Sequence, residues 1–170
     1  MGRYRPPAPP KSKYITRQGY ETLLAELNYL WRDKRPKVTK SVSEAAAQGD
    51  RSENAEYIYG KKMLREIDGR IRYLQKRLDD LVIVDTRPTD ETQVYFGAWV
   101  QLEDESGELF TYRIVGPDEF DPKKNWISLD SPMAKALLKK AIGDEIKVIL
   151  PKGEAAYFID KVSYDGEFEE

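Results

Sequence analysis

The sequence predicts an α+β protein: an N-terminal antiparallel helical hairpin of coiled-coil type, then a small α+β domain with an antiparallel sheet. Three observations carry this expectation. Apolar residues recur at alternating steps of three and four from Tyr57 to Leu81, the spacing of a coiled-coil seam. A second helical pattern precedes them, separated only by a few turn-forming residues around Gly49. After Leu81 the pattern changes to short runs rich in β-branched and aromatic residues between turn signals.

The first helix is expected to start at Thr16, whose hydroxyl can cap the orphan N–H groups of the first turn. Ile15 and Tyr20 are spaced for a hydrophobic staple across that start. Tyr20, Leu23, Leu27, Leu30 and Trp31 follow helical spacing, and Val38, Val42 and Ala45 extend it. Pro36 removes one hydrogen bond and is expected to bend this helix without ending it. The second helix is expected to begin near Asp50–Glu53 and to bury Tyr57, Gly60, Leu64, Ile67, Ile71, Leu74, Leu78 and Leu81, with Gly60 the one poor seam residue. Two helices of roughly 30 residues, about 45 Å each, joined by a short link must lie antiparallel. The turn near residues 48–52 is then the tip of a narrow rod.

Strands are expected at Leu81–Asp85, Val94–Glu103, Leu109–Val115, Trp126–Leu129, Glu145–Leu150 and Ala155–Val162. One short helix interrupts them, capped by Ser131, with Pro132 in its first turn and Met133, Leu137 and Leu138 toward the sheet. The expected organisation is a flexible Pro-rich basic extension at 1–13, the hairpin at 14–82, the globular domain at 83–165 and an acidic tail at 166–170.

Composition excludes several chemistries. The 170 residues contain no cysteine and no histidine, so thiolate nucleophiles, Ser-His triads and imidazole metal sites are absent. Metal chemistry would have to use oxygen ligands, which suit Mg2+. No apolar run is long enough to span a membrane and the start lacks a signal-peptide core, so a cytoplasmic location is expected. The net charge of −2 hides an asymmetry. Residues 1–84 carry 18 Lys+Arg against 11 Asp+Glu, and residues 85–170 carry 10 against 19. Halves of +7 and −9 point to different partners, nucleic acid for the first and a basic protein surface for the second.

The candidate chemistry sits at the tip. Asp50 and Glu53 are three apart at the expected helix start, where one turn brings both carboxylates to one side and the helix dipole favours negative charge. Two carboxylates make half of a six-ligand Mg2+ site, to be completed by another macromolecule. The same spacing is close to a capping box, and the bland reading is helix initiation alone. Along the second helix Lys61, Lys62, Arg65, Arg72 and Lys76, with Arg70 and Arg77 nearby, form a basic stripe. It can follow a phosphate backbone or be only a solvated flank. Tyr57, Tyr59 and Tyr73 can stack on bases or pack along the seam. Asp130, Ser131, Pro132 and an exposed Met133 can dock a partner or simply open a capped helix.

Several ordered stretches carry a family resemblance: Thr16–Tyr20, Glu26–Arg32, the tip Gly49–Tyr57, Leu64–Asp68, Phe96–Ala98, Tyr112–Gly116 and Asp130–Ala134. Over residues 14–164 the chain resembles the Gre transcript-cleavage factors, and Arg51, the Asn28–Arg32 run and the dense basic stripe are closer to the GreB-like branch than to the GreA-like one. The extension and the acidic tail depart from that pattern. The resemblance implies a monomer that inserts its hairpin into the secondary channel of bacterial RNA polymerase. It implies an FKBP-like second domain that grips the channel rim through Asp130, Ser131 and Pro132. Asp50 and Glu53 would be the catalytic and metal-holding pair, acting on a Mg2+ ion shared with the polymerase and not bound by the free protein. Lys61, Lys62, Arg65, Arg72 and Lys76 would hold the nascent RNA 3′ end. The polymerase would then cut its own backtracked transcript, with the factor an accessory and not an enzyme. Three alternatives stay open: a channel-binding inhibitor without cleavage activity, a prolyl isomerase, and a generic coiled-coil interaction module.

Overall fold

A computed structural model describes Tyr4, residues 6–49 and residues 53–168. Its residues fall into two units: Gln18–Leu81, and a second formed by Met1–Arg17 with Val82–Glu170.

The first unit is the helical hairpin. It comprises α1 (Arg17–Tyr29), a π-helical turn at Leu30–Lys34, α2 (Arg35–Ala46) and α3 (Ala55–Asp80). Leu23, Leu30 and Ala45 are buried on one side, and Gly60, Ile67, Ile71, Leu74 and Leu78 on the other. Tyr57, Leu64 and Leu81 are half-buried, so the α3 seam is the predicted one. A fully buried leucine such as Leu74 contributes roughly 1.5–3 kcal/mol. Two bidentate ion pairs cross between the antiparallel helices, Arg70 with Glu26 and Arg35 with Asp68. Asp68 holds the Arg35 guanidinium above its usual range, through the hydrogen bond first and charge second.

Three expectations about this unit change. The bend at Pro36 is spread over the preceding π turn, where the Arg35 N–H reaches back five residues to the Leu30 carbonyl. Widening the helix there relieves the ring of Pro36, which then opens α2 in its first turn, where its missing N–H costs nothing. The same shift of phase turns Trp31 outward: it is 57% exposed, with the Arg35 guanidinium 5.7 Å from its ring centre. Gly60 is not a weak seam position. A Cβ there would lie 2.7 Å from Val42 Cγ2, so glycine is what lets α2 and α3 approach.

The second unit is built on a five-stranded sheet in the order β5-β4-β3-β7-β6. Its strands are β3 (Trp99–Asp104), β4 (Leu109–Val115), β5 (Trp126–Ser128), β6 (Glu145–Leu150) and β7 (Gly153–Ser163), with α4 (Pro132–Leu137) against one face. All neighbours are antiparallel except β4 and β5. Val100, Leu102, Ile114, Ile146, Val148 and Ile159 point to the core, joined by Val94, Ala98, Ala134 and Leu137. The predicted strand at 94–103 begins only at Trp99, because Gly97 adopts φ +87 and turns the chain. The strand expected at Leu81–Asp85 is present as β2 (Val82–Ile83), and it pairs in parallel with β1 (Tyr14–Ile15), where no strand was expected. Ile15 is fully buried within it. Beside it the Glu119 carboxylate accepts from the Gly116 N–H, the Thr16 N–H and the Thr16 hydroxyl. Gly116 is obligatory there, since a Cβ would lie 2.1 Å from the Tyr14 carbonyl oxygen.

Candidate functional site

The chain enters and leaves the hairpin at one end, so the α2–α3 turn is its opposite end. Gly49 takes φ +132 just after α2, a conformation that suits glycine. Asp50 lies outside the described residues. Glu53 is described and stands in the turn, ahead of the helix. The cap is Asn54: its side-chain oxygen accepts from the Tyr57 N–H at 3.1 Å, and its amide donates to the Ala45 carbonyl at 2.8 Å.

The second helix, expected to begin near Asp50–Glu53, begins at Ala55 with Asn54 as its cap. Asparagine is among the best N-caps, and here the same side chain also ties α3 to the end of α2. Glu53 therefore precedes the cap and has no part in a capping box. It is exposed, and no described residue bonds or pairs with it. Glu53 is not in the helix, so helical spacing does not bring it and Asp50 to one side.

Downstream, Lys61, Lys62, Arg65, Arg72 and Lys76 are all exposed. At 3.6 residues per turn they fall within roughly 100° of arc on the side away from the seam. Of the acids nearby, Glu66 is exposed and pairs with none of them, and two others do other work. Asp68 binds Arg35, and Glu26 binds Arg70. Among the described residues no ion pair reaches any of the five. Arg70 stands apart from this set, since it is held by Glu26 and lies 5.3 Å from the Tyr73 ring centre. Tyr59 is 64% exposed near the turn, whereas Tyr57 is half-buried in the seam.

No group of three or more carboxylates able to hold a metal occurs among the described residues. Of the expected pair only Glu53 is described, and a single carboxylate fits Mg2+ only as one ligand of a site completed by other groups.

In the second unit Ser131 caps α4 as predicted, accepting from the Ala134 N–H at 3.2 Å. Asp130 and Pro132 are exposed. Met133 packs against the core cluster, as expected of a residue facing the sheet, so it is not the exposed docking residue that was also considered. The Asp130 carboxylate accepts a 2.8 Å hydrogen bond from the Ser12 N–H, a partner 118 residues away that no local pattern reveals.

Two family models match the chain in succession. One, described as transcription elongation factor, N-terminal, covers residues 13–83. The other, transcription elongation factor, GreA/GreB, C-term, covers residues 88–164. The transcription elongation factor GreB of Haemophilus ducreyi is 62% identical over 155 residues, 91% of this chain and 96% of that one. That of Pseudomonas aeruginosa is 58% identical over 164 residues, 96% of this chain and 98% of its own. The crystal structure of GreA factor homolog 1 from Thermus thermophilus is 28% identical, with a TM-score of 0.41, and covers 90% of this chain and 99% of that one.

Proposed function

The chain belongs to the GreA/GreB family of transcription elongation factors, and from that premise we propose that it stimulates the cleavage of backtracked transcripts by bacterial RNA polymerase. The observation that supports this most directly is Glu53. It is an exposed carboxylate at the turn of the hairpin, released from helix capping by Asn54 and bonded to no described residue.

Asp50 and Glu53 are the residues that would hold a Mg2+ ion together with polymerase carboxylates and RNA oxygens. Such an ion, when bound, lowers the pKa of water and stabilises a leaving oxygen. The chain's own part is to position and to hold. Glu53 orients an attacking water by accepting its hydrogen bond. Lys61, Lys62, Arg65, Arg72 and Lys76 hold the extruded RNA 3′ segment through its phosphates, with Tyr59 offering an exposed ring for stacking. Asp130, Ser131 and Pro132 dock the second unit on the polymerase. The factor acts as a monomeric accessory to the polymerase and has no nuclease activity of its own.

The test is a transcript-cleavage assay on stalled elongation complexes. Asp50→Asn with Glu53→Gln should keep polymerase binding and helicity but lose cleavage by a factor of at least ~100, the scale of a lost positioned catalytic group. Shortened RNA at the normal rate with the double variant would falsify the catalytic assignment. Inhibition without cleavage by the unaltered chain would instead establish a channel-blocking factor.

A further inference from the structure

We propose that the N-terminal arm, residues 6–12, is part of the polymerase-docking surface and completes a receptacle beside Asp130. The inference rests on the reading of Asp130, Ser131 and Pro132 as the docking residues, and it adds a segment that precedes the family match beginning at residue 13.

The arm is placed by both of its neighbours. The Lys13 carbonyl accepts from the Val82 N–H at 2.8 Å, and Tyr14 then enters the β1–β2 ladder. One residue earlier, the Ser12 N–H donates to Asp130 Oδ2. Upstream, Pro9, Pro10 and Lys11 form one wall of a hollow of about 310 Å³ whose other walls are Pro117, Ser128, Asp130 and Lys135. Pro6, Pro7, Pro9 and Pro10 fix φ along the arm, so holding it extended costs little conformational entropy. The loop opposite is equally set: the Asp130 N–H donates to Ser128 Oγ, and the Ser131 hydroxyl is engaged in capping α4.

The arm walls the hollow and does not cover it. With the arm in place Asp130, Pro132 and Lys135 all remain exposed. The bond from Ser12 uses one carboxylate oxygen of Asp130 and leaves the other able to accept from a partner. The lining defines the partner's chemistry. Proline rings accept an apolar side chain, Asp130 accepts from a cation or N–H donor, and Lys11 and Lys135 meet carboxylates at the rim. The fitting element is a polymerase surface segment with one apolar side chain flanked by charges of both signs.

The experiment measures the affinity of the full chain and its variants for core RNA polymerase by competition at fixed salt. Deletion of residues 1–12 should weaken binding about three- to tenfold, the worth of a lost exposed hydrogen bond with adjoining contacts. Ser12→Pro removes that N–H, and the hydroxyl with it, while keeping the rest of the arm, and should give a smaller loss in the same direction. In an Asp130→Ala background both effects should shrink, since the arm works partly through that carboxylate. Tighter or unchanged binding after the deletion, while Asp130→Ala still weakens the full chain, overturns the arm proposal alone. Unchanged binding of full-length Asp130→Ala overturns the docking reading and this proposal with it.

Discussion

Glu53 and Asn54 are neighbours with opposite work, and the pair separates structure from chemistry at single-residue resolution. Asn54→Ala removes the cap on Tyr57 and the bridge to Ala45, and should cost about 1 kcal/mol of stability. Thermal unfolding followed by helical circular dichroism reads that loss. Glu53→Gln touches neither bond, so its unfolding midpoint should stay within experimental scatter of the parent while transcript cleavage falls. A midpoint shift as large as that of Asn54→Ala would return Glu53 to a structural role. Glycines divide in the same way. Gly69 faces open space, so Gly69→Ala should stabilise α3 by about 0.5–1 kcal/mol. Gly60→Ala gains the same propensity but drives a Cβ into Val42, an overpacking that costs about 1–3 kcal/mol. The first variant should therefore melt higher than the parent and the second lower.

At the level of elements, α3 carries both the seam and the cationic face on one cylinder. The seam residues fix the face: a helix buried along Ile67, Ile71, Leu74 and Leu78 must turn Lys61, Lys62, Arg65, Arg72 and Lys76 to solvent. Reversing Lys61, Lys62 and Arg65 to Glu should leave hairpin stability nearly unchanged, because none of the three has an ion-pair partner among the described residues. Cleavage of complexes backtracked by many nucleotides should fall at least tenfold, and the defect should narrow as salt is raised for both proteins. Equal cleavage by parent and variant at low salt would remove RNA holding from this face. The π turn before α2 is a second elemental feature. It moves Trp31 out of the inner row that a regular helix would give it.

For the whole molecule, the absence of histidine shapes the response to pH. No side chain has an unperturbed pKa between 5 and 8, so stability should be nearly flat across that range. The changes belong at the extremes. Asp104 is held below the usual carboxylate range by the Ser106 hydroxyl and by the Glu108 N–H, Asp90 by Thr92, and Asp165 by the Arg87 guanidinium. A depressed carboxylate contributes fully above its unfolded pKa and loses that contribution as pH falls through its folded value. The thermal midpoint should therefore drop below about pH 4, and Asp104→Asn should flatten the drop. Burial pushes the Tyr112 and Tyr164 phenols up, so a second decline belongs above about pH 10, as the unfolded chain ionises first. A midpoint that is constant from pH 5 down to pH 2 would remove these carboxylates from the stability of the fold.

What the sequence determined by itself is whatever repeats with a short period or depends on residue type alone. The alternating steps of α3 gave the seam, the exposed cations and the hairpin. Ser131 and Pro132 gave the start of α4, and the missing Cys and His excluded whole classes of chemistry. Tertiary structure alone decided the contacts between residues remote in sequence. It placed Gly60 against Val42, Glu119 under Thr16 and Gly116, and Ser12 on Asp130. It also made Asn54 the cap, a side chain that reaches Tyr57 and Ala45 together. The physical reason is range: periodicity reports which face of an element meets a partner, while the partner's identity is set by chain closure and packing distance, which no local pattern encodes.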